Sequence, residues 1–141
     1  MSPDVRAALA IDSRSTVEDR TIDITTTGRR TGQPRRIEIV FYREGDDIYL
    51  SGIPRRKTRS WLANLAAHPK FTFHLKHAVV ADLRATATVV TDLAERRRVL
   101  AVFVDEFNRR HDANSPWPKA VLDEWVAGSP LARVAFEDAD E

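Results

Sequence analysis

The chain has 141 residues, 22 Lys and Arg against 21 Asp and Glu, a net charge of +1 and no cysteine. That length suits one domain with a substantial core and is short for two. The balance of charge excludes the global cationic field of a dedicated nucleic-acid binder, and the lack of cysteine excludes a disulfide framework and thiol chemistry. Charge is nonetheless concentrated locally. Basic residues crowd positions 29–36 and 55–59, while Glu137, Asp138, Asp140 and Glu141 make the last five residues acidic. A basic patch on a near-neutral chain points to a defined anionic ligand more than to a polyanion. Residues 1–20 are polar and of mixed charge, without a secretory pattern. No segment approaches the length of a membrane span. A cytoplasmic location is expected.

In chain order, residues 1–19 read as a polar N-terminal arm holding one helical turn, and residues 20–141 as a single domain. RTIDITTT alternates and is rich in Ile and Thr, which predicts a strand over 20–27. GRRTGQP is a turn, with Gly28 and Gly32 supplying positive φ and Pro34 blocking ladder pairing. RRIEIVFYRE predicts a strand over 35–44, with Ile37, Ile39 and Phe41 on one face. GDD turns the chain into a return strand over 48–53. A basic loop follows. Thr58 or Ser60 is expected to cap a short helix that buries Trp61, Leu62, Leu65 and Ala66 and ends at His68-Pro69.

KFTFHLK alternates strictly, with Phe71, Phe73 and Leu75 inward and Thr72, His74 and Lys76 outward. Residues 79–91 predict one long strand or a strand with a bulge. Asp92 and Glu95 resemble a capping box ahead of a helix that buries Val99, Leu100, Phe103, Val104 and Phe107. After a polar loop, Pro116 or Pro118 is expected to open a last helix with Val121, Leu122, Trp125 and Val126 inward, ended by Gly128. A final strand covers 131–137. The resulting order, β-β-β-α-β-β-α-α-β, predicts an α+β protein: an antiparallel split β-barrel with helices packed outside.

The strongest chemical signal is SGIPRRKTRSWLANL, residues 51–65. Arg55, Arg56, Lys57 and Arg59 stand at the mouth of a helix whose first N–H groups lack intrahelical partners and carry the positive end of its dipole. Cations in front of such groups make a phosphate or carboxylate site. A solvated loop explains the same run equally well. Arg35 and Arg36 are adjacent on a strand, so they point to opposite faces, and one of them can join the loop. Trp61 suits a core position, whereas Asn64, mid-helix, needs a polar partner and is a candidate to hold the preceding loop. The histidines show no metal-ligand pattern, and His74 and His77 have no carboxylate near them in sequence, so no metal is expected. No nucleophile motif, dinucleotide-binding motif or phosphate-binding P-loop is present. A barrel with an anion site and no evident catalytic side chain suits an enzyme whose cofactor does the chemistry.

TTTGRRTGQPRR followed by a hairpin, a short polar loop and WLANLAAHP resembles the deazaflavin-dependent nitroreductase family, also described as F-420-dependent quinone reductases, within the flavin-binding split β-barrel superfamily. The resemblance runs over residues 20–91. It implies coenzyme F-420, flat at one end and anionic at the other, and hydride transfer to a small electrophile such as a quinone or nitro compound. By position it implies cofactor contacts from Arg35, Arg36, Ser51, Gly52, Arg55, Arg56, Lys57, Arg59, Trp61 and Asn64. Of these, Lys57 falls at the family's loop lysine, and Ser51 and Gly52 fall where backbone meets the ring. No catalytic side chain is implied.

The chain departs from the family at Ile53-Pro54-Arg55-Arg56-Lys57, where G-G-A-P-K is usual. It also departs at Leu62, where an aromatic is common, and in lacking C-terminal tyrosines. Phe107, His111 and Trp117 are the candidates for a substitute pocket wall. The rival readings are the same barrel with FMN, a family member without cofactor, and a non-catalytic anion- or nucleic-acid-binding module, which the charge balance disfavours. Monomer and homodimer are both compatible with this family.

Overall fold

A computed structural model describes residues 1–111, 114–116 and 118–137. Trp117, Asp138, Asp140 and Glu141 lie outside the described residues. Six strands, β1 (Thr21–Thr27), β2 (Pro34–Glu44), β3 (Asp47–Ser51), β4 (Lys70–Lys76), β5 (Val80–Val89) and β6 (Leu131–Phe136), close an antiparallel barrel in the order β1-β2-β3-β6-β5-β4. Helices α1 (Pro3–Leu9), α2 (Val17–Arg20), α3 (Ser60–Ala67), α4 (Leu93–Arg110) and α5 (Leu122–Gly128) complete it. The expected split barrel with outer helices is the observed architecture.

Alternation sets the barrel interior. Ile22, Ile24, Phe41, Leu50, Phe71, Phe73, Leu75 and Ala85 are buried in one cluster. Phe73 meets Phe41 and Phe136 edge-on, with ring centroids 5.3 and 5.1 Å apart, the geometry that aromatic quadrupoles favour. Val5, Leu9 and Ile11 join this cluster from α1 and the segment after it, so the N-terminal segment carries two helices and three core side chains. A second core lies outside the barrel. There Tyr49 from β3 packs with Val99, Leu100 and Phe103 of α4 and with Trp125 and Val126 of α5, and Tyr42 stacks on Phe103 at 4.5 Å.

β2 is split along its length. Residues 34–40 pair with β1, and residues 41–44 pair with β3. The first seven residues of β2 thus belong to the ladder on one edge only, and the face predicted to be buried opens there: Phe41 is fully buried, but Ile37 and Ile39 are half-exposed.

Local chemistry differs from expectation at several points. Gly32 and Gly45 have positive φ, at 71° and 61°, but Gly28 does not. Gly28 is required by close packing, since a Cβ there would lie 2.9 Å from Thr31 Oγ1. Neither Thr58 nor Ser60 caps α3. The N-cap is Arg59, without a side-chain hydrogen bond. The buried face of α3 is Trp61, Asn64 and Leu65; Leu62 is half-buried and Ala66 exposed. α5 starts at Leu122, beyond both prolines, and leaves Val121 exposed.

His74 is buried rather than outward. Its Nδ1 lies 2.7 Å from Asp82 Oδ1 and its Nε2 lies 2.7 Å from Thr25 Oγ1. His77 Nδ1 stands 3.6 Å from Glu18. Glu18 is far from His77 in sequence, whereas Asp82 lies 8 residues from His74 and is set opposite it by the β4–β5 register. The ring positions are thus explained by barrel pairing, which no local pattern encodes.

Candidate functional site

Where β2 parts from β3, two adjoining cavities open. One, of about 480 Å³, lies between Ile37 and Ile39 of β2, Ser51 and Gly52 at the end of β3, and the loop bearing Arg55, Lys57 and Arg59. The other, of about 330 Å³, lies under the β1–β2 turn, against Arg29, Arg30, Arg35 and Asn64. Ile37, Ser60 and Trp61 line both. These volumes fall in the range of small-molecule sites, about 300–1,000 Å³.

Each wall follows from local sequence. The floor is apolar because Ile37 and Ile39 are core-type residues on a strand whose partner has turned away. Gly52 leaves no Cβ over that floor. The guanidinium of Arg59 occupies the space instead, with Nη2 3.0 Å and Cζ 3.1 Å from where a Cβ would stand. Arg59 is half-buried and has no hydrogen-bond acceptor or carboxylate among the described residues. Its pKa is held below arginine's usual value, by desolvation first and by the neighbouring Arg55 second. An anion arriving beside it relieves both effects.

Arg30, Arg35, Arg55, Arg56 and Lys57 likewise meet no carboxylate among the described residues. Since the cap of α3 offers no side-chain acceptor, the first-turn N–H groups add partial positive charge at the same place. The hydroxyls of Thr58 and Ser60 border the larger cavity, with no unpaired base beside them among the described residues. The Ser51 hydroxyl donates to Pro130 O at 2.7 Å, and Glu38, which borders the larger cavity, accepts from Lys76 Nζ.

Eight of the ten residues proposed from sequence line these cavities: Arg35, Ser51, Gly52, Arg55, Lys57, Arg59, Trp61 and Asn64. Arg36 lines neither. It points to the opposite face and its Nε donates to Asp23 Oδ2 at 2.9 Å, as adjacency to Arg35 on a strand requires. Arg56 borders a third cavity on the other side of the loop. Asn64 does hold a loop, but one 35 residues upstream. Its Oδ1 accepts from Arg29 N at 3.0 Å and its Nδ2 donates to Thr26 Oγ1 at 3.2 Å, which clamps the β1–β2 turn onto α3. Phe107 packs on Trp125 and His111 and lines neither cavity; Trp117 is not described. Sequence reasoning missed Ile37, Ile39, Arg29 and Arg30 as site residues. The paired arginines of the turn were a usable signal. The exposure of the isoleucines was not legible, because alternation is the same whether or not a strand's partner stays beside it.

No helix among the described residues is long and apolar enough to cross a membrane. Known proteins supply the remaining observation. A family model described as F420H(2)-dependent quinone reductase matches residues 11–115. Solved structures share the fold at low identity. A conserved hypothetical protein of Mycobacterium tuberculosis is 19% identical with a TM-score of 0.63, covering 97% of this chain and 81% of its own. A pyridoxamine 5'-phosphate oxidase-related, FMN-binding protein of Nostoc punctiforme is 12% identical with a TM-score of 0.65, covering 96% and 81%. An F420-H2 dependent reductase is 18% identical with a TM-score of 0.51, covering 82% and 94%.

Proposed function

From the premise that this chain belongs to the F420H(2)-dependent quinone reductase family, and is therefore a deazaflavin-dependent oxidoreductase, we propose that the twin cavities beside β2 hold coenzyme F-420 for reduction of a small electrophile, a quinone or nitro compound. The observation that carries this is one juxtaposition: a half-exposed Ile37–Ile39 stripe on an unpaired strand edge, faced by arginines and a lysine that no carboxylate among the described residues neutralises. A flat ring with an anionic tail matches that surface in shape and charge.

The cofactor supplies the hydride chemistry when bound, which accounts for a site whose hydroxyls have no unpaired base beside them among the described residues. The protein's own residues have four tasks. Ile37 and Ile39 give the ring an apolar bed and exclude water. Gly52 makes room for the Arg59 guanidinium at the edge of that bed. Arg59, Lys57 and Arg55 attract and fix the anionic groups. Asn64 sets the distance between the Arg29–Arg30 turn and the helix start. Substrate reaches the ring from the open side of the larger cavity.

The test is fluorescence titration of the purified chain with F-420 and, in parallel, with FMN, at low and high salt. F-420 is expected to bind in preference, more weakly as salt rises. Lys57→Ala and Arg35→Ala are each expected to weaken it about tenfold, or about 1.4 kcal/mol. Preference for FMN, or no response to F-420, overturns the assignment. Reduction of menadione or of a nitroimidazole by the reduced coenzyme then tests the acceptor class.

A further inference from the structure

Loop 55–59 has a second side. Facing α4 and α5, and shared with neither β2 residue named above, is a third cavity of about 440 Å³. Among the described residues its wall carries five cations, Arg55, Arg56, Lys57, Arg59 and Arg96, and no carboxylate. The rest of the wall is largely apolar: Leu62, Val90, Leu93, Val126 and Pro130.

Three features indicate that this is more than a solvated face. First, Leu93 is 69% exposed on the first turn of α4, a position that an N-terminal turn normally gives to a polar residue. Second, Arg96 forms the floor with its charge uncompensated. Its guanidinium donates to three backbone carbonyls, of Val126 at 2.9 Å, Val90 at 3.1 Å and Ser129 at 2.6 Å. Those bonds use three of its donors and hold the α5 C-terminus, and no carboxylate among the described residues neutralises the charge under the cavity. Desolvation lowers the Arg96 pKa, the cost that an anion nearby offsets. Third, Ser129 lines the cavity and is buried, and its hydroxyl oxygen has no hydrogen-bond partner among the described residues. Buried hydroxyls are normally paired, so this donor is unspent.

We infer that the helix-side cavity is a second binding site, for an amphipathic organic anion: a carboxylate or sulfonate on an apolar body, with the anionic group toward Arg56 and the Arg96 floor and the body against Leu93 and Val126. A bare phosphate leaves the apolar wall in water, and a neutral apolar molecule leaves the cations unmatched. The concave shape and modest volume fit one small molecule. The site shares Arg55, Lys57 and Arg59 with the larger cavity beside β2; Arg56, Leu93, Arg96 and Val126 belong to it and to neither cavity beside β2, and it needs no cofactor.

The experiment uses the cofactor-free full chain and 8-anilinonaphthalene-1-sulfonate, whose fluorescence rises on transfer to an apolar site. Saturable binding at one site per chain is expected, displaced by octanoate and not by 1-octanol. Arg56→Glu and Leu93→Asp border only this cavity and are solvent-exposed, so both variants keep the far-ultraviolet circular dichroism of the parent. Each is expected to lower probe affinity at least tenfold, whereas Arg35→Glu, beside β2, leaves it unchanged. Absence of saturable binding, indifference to both helix-side variants, equal loss in Arg35→Glu, or displacement by octanol as effective as by octanoate overturns the inference. No outcome bears on F-420, which is not present.

Discussion

Asn64 shows how much one side chain can carry. It is buried on α3, and both ends of its amide are engaged by β1 and the turn after it. Asn64→Ala removes the acceptor for Arg29 N and the donor to Thr26 Oγ1 inside a closed space. The loss is expected to cost about 1–3 kcal/mol, the penalty for stranded buried polar groups, read as a lower urea midpoint at unchanged slope. Asn64→Asp keeps the acceptor and lets the Thr26 hydroxyl donate instead, so it is expected to lose less. Equal loss in the two variants would contradict the clamp. Glu106 makes the opposite case. It accepts from Arg20 Nη1 at 3.2 Å, and Arg20 is 1% exposed. Glu106→Ala strands that guanidinium and is expected to cost about 3–5 kcal/mol, whereas the Arg20→Met/Glu106→Leu pair costs much less, because it removes both charges together. Thermal denaturation of the single and double variants decides it.

At the scale of elements, the outer face of β1, β2 and β4 carries a charge ladder: Arg36 to Asp23, Asp23 to Lys76, and Lys76 to Glu38. The hydrogen bond from Lys76, followed in size by the opposing desolvation and then by the bond from Arg36, leaves the Asp23 carboxyl below its ordinary pKa, and Lys76 is pushed above its own. A depressed carboxylate stabilises the fold above its unfolded value, near pH 4, and loses that contribution as pH falls through the lower folded value. A raised lysine stabilises below about pH 10.5 and loses its contribution as pH rises through the higher folded value. Asp23→Asn is therefore expected to lower the melting temperature at pH 7 and to converge with the parent as the pH falls below the ordinary carboxylate range; a difference that stays constant as the pH falls would remove the ladder from the account. None of this was visible along the chain. The apolar face of β4 was legible, because alternation over KFTFHLK places Phe71, Phe73 and Leu75 inward and all three are buried, but His74, expected outward, is buried too. The cross-strand partners of Asp23 and His74 were not legible, since Lys76 and Thr25 lie 53 and 49 residues away, and Asp82, 8 residues from His74, is set opposite it only by the hairpin register. The site divides along the same line. Its cations were legible as a local cluster, while its floor exists only because β2 changes partner halfway.

For the whole molecule, closure of the barrel leaves a seam beside β2. Residues 34–40 of β2 pair with β1 alone, and a row of backbone donors and acceptors flanked by half-exposed isoleucines is a template for another chain's strand. Arg35, Arg55, Lys57 and Arg59 stand along that seam, and two copies meeting edge to edge would press like charges together. The residues assigned to hold an anion thus have a second consequence, colloidal rather than catalytic: they keep identical seams apart. Raising salt shortens the reach of that repulsion, so light scattering of the cofactor-free protein is expected to show self-association growing with ionic strength, and earlier in an Arg35→Ala/Lys57→Ala variant. A ligand seated on the seam suppresses it. Scattering indifferent to salt, charge and ligand alike would mean that the seam is not the surface through which copies meet.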